Sequence, residues 1–136
     1  MSGGLDIIKY RILNSCADDW ELFYFPFAEV NFGGQVTDDG PRRVTTPGRV
    51  ISGNVADLIH GGLLDCLRVR GDLRRIEITN PDESEFDIYD GYDYSTFDKH
   101  LERFGYGPHE FKTTRAGVEE IEKSFYNNYD VEMGPP

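Results

Sequence analysis

The sequence predicts a compact α+β domain, mainly helical with a small antiparallel sheet, and three observations carry that expectation. Apolar residues recur at helical spacing in several stretches; two alternating stretches flank a Gly71-Asp72 step; glycines and prolines interrupt the chain where these stretches end. The chain has 136 residues, 38% hydrophobic and 13% aromatic, enough to bury one core and offset the entropy of ordering. One domain is therefore expected over residues 1–130, with 131–136 as a flexible tail ending in Gly134-Pro135-Pro136.

Element by element, Leu5, Ile8 and Ile12 fit a first helix, although Ile8, Tyr10 and Ile12 also alternate as in a strand. Trp20, Phe23, Tyr24 and Phe27 stand at i, i+3, i+4 and i+7, with Asp18 and Asp19 at the end where a helix dipole favours acids. They predict a helix over about 18–31, kinked at Pro26 and ended by Gly33-Gly34. Residues 33–48 read as a long surface loop. Val50, Ile51, Val55, Leu58 and Ile59 stripe one side of a helix with Thr46 as N-cap, Pro47 in the first turn and Gly61-Gly62 as terminator. Stretches 63–70 and 73–79 are expected to pair as an antiparallel hairpin. A short strand is expected over 86–89. A helix with Phe97, Leu101 and Phe104 follows, stopping at Gly105-Tyr106-Gly107-Pro108, and Thr114 opens a last helix carrying Val118, Ile121 and Phe125.

Charge is segregated along this scaffold. The formal net charge is −11, which repels phosphate backbones and anionic lipid and attracts basic partners. Between Pro41 and Arg75, however, Arg42, Arg43, Arg49, Arg68, Arg70, Arg74 and Arg75 face only Asp57, Asp65 and Asp72. From Asp82 to Asp98 the balance reverses, with Asp82, Glu83, Glu85, Asp87, Asp90, Asp93 and Asp98 and no Lys or Arg. The N-terminus lacks the basic and apolar regions of a secretory signal, and no apolar run is long enough to span a membrane. A cytoplasmic location is expected, with Cys16 and Cys66 as buried thiols.

The segment from the helix Val50–His60 through Gly62-Leu63-Leu64 into the hairpin resembles the helix-then-wing portion of winged-helix domains. Phe111-Lys112-Thr113-Thr114-Arg115-Ala116-Gly117 is similar to the hydrophobic-x-Thr-x-x-Gly entry that often opens the helix after a wing. The resemblance covers about half the chain and implies a helical core with a small sheet and DNA contact through the third helix. Arg49, Arg68, Arg70, Arg74 and Arg75 are the residues that such contact would use. The helix itself carries Ser52, Asn54, Asp57 and His60, and no Lys or Arg, which is a poor set for phosphates.

Catalytic and metal chemistry find little support. His60, His100 and His109 are scattered, with no Cys pair or His-x-x-x-His spacing for zinc. Asp87 to Asp93 lacks the alternate oxygens and twelfth-position Glu of a calcium loop. No Gly-x-Ser-x-Gly elbow or phosphate-binding glycine loop occurs, and nothing places Cys66 beside a histidine. Neither a metal nor a cofactor is expected. What remains is the acidic, tyrosine-rich run, in which Asp87, Tyr89, Asp90, Tyr92, Asp93 and Tyr94 combine steering charge with contact area. The sequence thus predicts a non-catalytic module that recognises a basic protein, as an inhibitor or immunity protein does. A winged-helix-type DNA-binding regulator is the first alternative and a small enzyme the second; the aromatic excess also suits a homodimer interface.

Overall fold

A computed structural model of the protein describes residues 5–32, 46–69, 74–90 and 108–124. The first helix, α1, spans Ile7–Ser15. Its N-cap is Asp6, whose carboxylate accepts from the Lys9 amide at 2.8 Å, satisfying one of the donors a helix start leaves unpaired. The helical alternative is therefore the one realised, and Tyr10, Ile12 and Leu13 face the core.

A turn then leads into a two-residue strand, β1 (Glu21–Leu22), and helix α2 begins only at Tyr24 and runs to Phe32. The expected helix from Asp18 is corrected here. Glu21 and Leu22 pair with Phe111 and Glu110, about 90 positions away, and that ladder outcompetes a local spacing equally compatible with a helix. The later start also changes where Pro26 stands in the helix. With the helix starting at Tyr24, Pro26 falls in its first turn, where the missing amide has no intrahelical partner to lose.

Helix α3 (Gly48–His60) buries Ile51, Val55, Leu58 and Ile59, as their spacing requires. Its N-cap is Pro47, one residue later than expected, and no side chain caps it. Thr46 is instead buried, its amide donating to Asn31 Oδ1 at 2.8 Å and its carbonyl accepting from Asn31 Nδ2 at 2.9 Å. At the far end Gly62 takes φ +76°, while Leu63 N bonds Leu58 O and Gly62 N bonds Ile59 O. This is the paired hydrogen bonding of a left-handed helix terminator, for which glycine carries no steric penalty.

Among the described residues the sheet has four antiparallel strands in the order β1-β4-β2-β3, where β2 is Leu64–Val69, β3 is Arg75–Glu77 and β4 is His109–Thr113. The expected hairpin pairing is present, with Arg68 opposite Ile76, although its Gly71-Asp72 turn lies outside the described residues. Neither β1 nor β4 was among the expected strands, and β4 lies between β1 and β2. The expected strand over 86–89 is corrected as well: Asp87–Tyr89 is a single turn of 3-10 helix. The last helix, α4 (Arg115–Lys123), starts at the expected cap, the Thr114 hydroxyl accepting from Gly117 N at 3.0 Å. Residues 33–45 of the expected loop, the helix expected around Phe97–Phe104 and the expected tail over 131–136 fall outside the described residues.

Among the described residues, four helices and this sheet make an α+β fold around one core. Phe23 is its aromatic centre, stacked on Tyr89 with ring centroids 3.9 Å apart and edge-on to Phe111 at 6.3 Å. Ile12, Leu13, Phe27, Ile51, Leu58 and Leu64 close around these rings at no more than 2% exposure. Area removal alone is worth roughly 1.5–3 kcal/mol for each such side chain. Among the described residues no helix is long and apolar enough to cross a membrane.

Candidate functional site

The acidic segment does not stand away from the protein. Its described part, residues 81–90, folds back over α3, and His60 Nε2 lies 3.1 Å from the Pro81 carbonyl. Between helix and segment runs an open groove of about 400 Å³, with Phe86 at its base and Arg49, Asp57, Asp82, Glu83, Asp87 and Asp90 along its walls. Five carboxylates thus face one guanidinium. Asp57 is in part offset by Lys9 at 3.7 Å. Asp82 accepts from both the hydroxyl and the amide of Ser84, at 2.7 and 2.9 Å; these bonds hold its carboxyl below the usual range and keep the charge in mild acid.

Beneath the segment, four polar side chains form a chain of hydrogen bonds. Arg68 on β2 reaches both oxygens of Glu85 with Nη1, at 3.0 and 2.9 Å. Glu85 Oε2 meets His109 Nε2 at 2.8 Å, and His109 Nδ1 meets the Tyr89 hydroxyl at 2.8 Å. Because an ionised carboxylate only accepts, Nε2 carries the proton, and Nδ1 accepts from the tyrosine. His109 sits in β4 directly opposite Arg68, with Phe86 edge-on at 4.8 Å and Phe111 alongside. Burial among these rings and the nearby Arg68 charge lower the imidazole pKa, which the Glu85 hydrogen bond and charge only partly offset. His109 is therefore neutral at pH 7, with both ring nitrogens engaged. The arrangement ties the acidic segment to two strands.

The residues singled out in the sequence divide accordingly. Asp87 and Asp90 are exposed on the groove wall. Tyr89 is corrected: its ring is fully buried against Phe23 and belongs to the core, because an aromatic face gains more from stacking there than from solvent. Tyr92, Asp93 and Tyr94 lie outside the described residues. Of the arginines, Arg49 and Arg74 are exposed, Arg68 is committed to Glu85, Arg75 donates to Glu110 at 3.0 Å, and Arg70 lies outside the described residues. No cluster of potential metal ligands occurs among the described residues.

Glu85 and His109 escaped the sequence reading. Glu85 looked like one more surface acid. The alternation of His109, Phe111 and Thr113, all buried, was the one available signal that His109 points inward.

Cys16 and Cys66 are both buried free thiols, and desolvation pushes each up to about 12. Native protein is therefore expected to show no rapid reaction with a disulfide reagent at mildly alkaline pH, and two thiols per chain after denaturation. Prompt labelling of the native chain would contradict this placement.

The fold and the groove together define an α+β domain with an acidic surface cleft. Comparison with protein-family models, with curated proteins and with solved structures finds no match to the chain.

Proposed function

We propose that this protein is a non-catalytic recognition module that binds a basic protein partner through the groove between α3 and the acidic segment. The observation that carries the reading is the charge arrangement. Asp57, Asp82, Glu83, Asp87 and Asp90 line the groove together with Arg49, while Arg68 and Arg75 of the hairpin are already paired within the chain. Such a face steers cationic side chains and accelerates their encounter, and Phe86 at its base offers apolar contact to a lysine or arginine stem. The reading places the protein in a reducing, cytoplasmic setting, in keeping with its free thiols.

The rival reading, a winged-helix-type DNA regulator, draws support from α3 leading directly into a hairpin and from the exposure of Arg49 and Arg74. It is less favoured because the acidic segment lies along the α3 face that phosphates would approach. An enzymatic reading would use His109, but neither ring nitrogen is free to take a substrate proton.

The test is titration of the protein with a short Lys/Arg peptide and, separately, with duplex DNA at low salt, followed by amide chemical shifts. Peptide-induced shifts are expected at Gly53, Asp57, Asp87 and Asp90. Changing both Asp87 and Asp90 to Asn should weaken peptide binding by roughly fivefold, the scale of two exposed charge pairs. Equal peptide binding by the double variant would remove the steering role. Salt-dependent shifts on DNA at Arg49 and Arg74 would transfer support to the rival reading.

A further inference from the structure

Besides the direct Arg68–Glu85 pair and the packing of Phe86 and Tyr89 on Phe111 and Phe23, two polar ties hold the described part of the acidic segment to His109 on the sheet beneath it. Glu85 is held by His109 Nε2 together with Arg68, and the 3-10 turn is held by the Tyr89 hydroxyl on His109 Nδ1. His109 itself is anchored by the β4–β2 ladder, in which it pairs with Arg68. We propose that His109 is a proton-operated latch: neutral, it ties Glu85 and the Tyr89 hydroxyl to the sheet, and on protonation it weakens those ties, so that the segment 82–90 opens more often while the rest of the fold persists.

The reason lies in the donor and acceptor count. The neutral ring has one N–H for the Glu85 carboxylate and one lone pair for the Tyr89 hydroxyl, so each partner meets its complement. A proton added to Nδ1 turns the acceptor into a second donor, and the Tyr89 hydroxyl must reverse. It also places a full charge on a side chain only 2% exposed, among Phe86, Phe111 and Tyr89.

The surrounding charges do not remove this cost. On β2 stand Arg68, which already shares Glu85, and the buried Cys66 thiol. The segment contributes Glu85, Asp82 and the Tyr89 hydroxyl. On β4 itself Glu110 is engaged by Arg75. Among the described residues Glu85 is thus the one carboxylate bonded to the ring, and its charge is divided between two cations once the ring is protonated. With the segment open, the imidazole regains water and its ordinary pKa near 6.5. Protonation consequently favours the open form. The closed form is fully held above that pH and weakens as the pH falls toward the lower value of the closed state.

The experiment is amide hydrogen exchange on the full chain between neutral pH and about pH 5, corrected for intrinsic rates, alongside an NMR titration of the His109 ring. The Tyr89 and Asp90 amides, bonded to Phe86 O and Asp87 O, report the segment; Leu63, bonded to Leu58 O, reports the core. Since the open form binds the proton more tightly than the closed one, protection at Tyr89 and Asp90 is expected to fall by roughly threefold or more while Leu63 is unchanged. The loss should coincide with the His109 titration. His109→Gln, which keeps a donor and an acceptor but takes up no proton, should abolish the pH dependence. Tyr89→Phe, which leaves Nδ1 without its donor, should move the His109 titration to higher pH and shrink the pH-dependent loss. Unchanged protection across the His109 titration overturns the latch, as does a parallel loss at Leu63, and these readouts on the native chain decide the matter even if a variant does not fold.

Discussion

Replacing Gly117 by alanine is expected to destabilise the fold by about 3 kcal/mol or more, the cost of overpacking a site that cannot yield. A methyl group at this position would lie 2.3 Å from the Leu63 carbonyl oxygen and 2.5 Å from Thr113 Cγ2. The first obstacle is backbone and is fixed from both sides. Leu63 O accepts from the Thr114 amide at 3.0 Å, and the preceding Gly62 carbonyl accepts from the Thr114 hydroxyl at 2.8 Å. The same hydroxyl caps α4 through Gly117 N. The Thr-x-x-Gly pattern is thereby explained physically: threonine stitches the start of α4 to the end of α3, and glycine lets the two backbones touch. Denaturant unfolding of the variant measures the loss. A change below about 1 kcal/mol would mean that the helix can shift without cost, contrary to these contacts.

The second large effect is expected at Tyr89, where alanine should cost about 3–5 kcal/mol, as for other large aromatic side chains removed from cores. The ring is 0% exposed and stacked on Phe23, and its hydroxyl is bonded to His109. Tyr89→Phe keeps the stack and loses the hydrogen bond, for an expected cost of roughly 1–2 kcal/mol. This pair of variants separates core from surface. A tyrosine displayed to a partner would tolerate alanine within about 0.5 kcal/mol, and unchanged stability of the alanine variant would return Tyr89 to the binding face.

The remaining acids behave differently because they are solvated. Asp87 and Asp90 are exposed, so their substitution by Asn should alter binding and leave unfolding nearly unchanged. Measured together, the Asp and Tyr variants test whether the segment is bifunctional, with one side packed into the core and the other presented as charge.

The α+β class, the helices at α1, α3 and α4 and the hairpin of β2 and β3 were legible in the sequence by itself. Each is specified by local periodicity, a cap or a glycine terminator, which act over a few residues and leave their mark in adjacent positions. So was the segregation of charge, since counting needs no structure. Three things were decided only by the tertiary fold: that β4 inserts between β1 and β2, that Trp20 to Phe27 is divided between a strand and a helix, and that Glu85, His109 and Tyr89 meet. The physical reason is common to all three. Strand pairing and buried polar chains join residues tens of positions apart, and neither the spacing nor the chemistry of one partner reveals the other until the chain is folded.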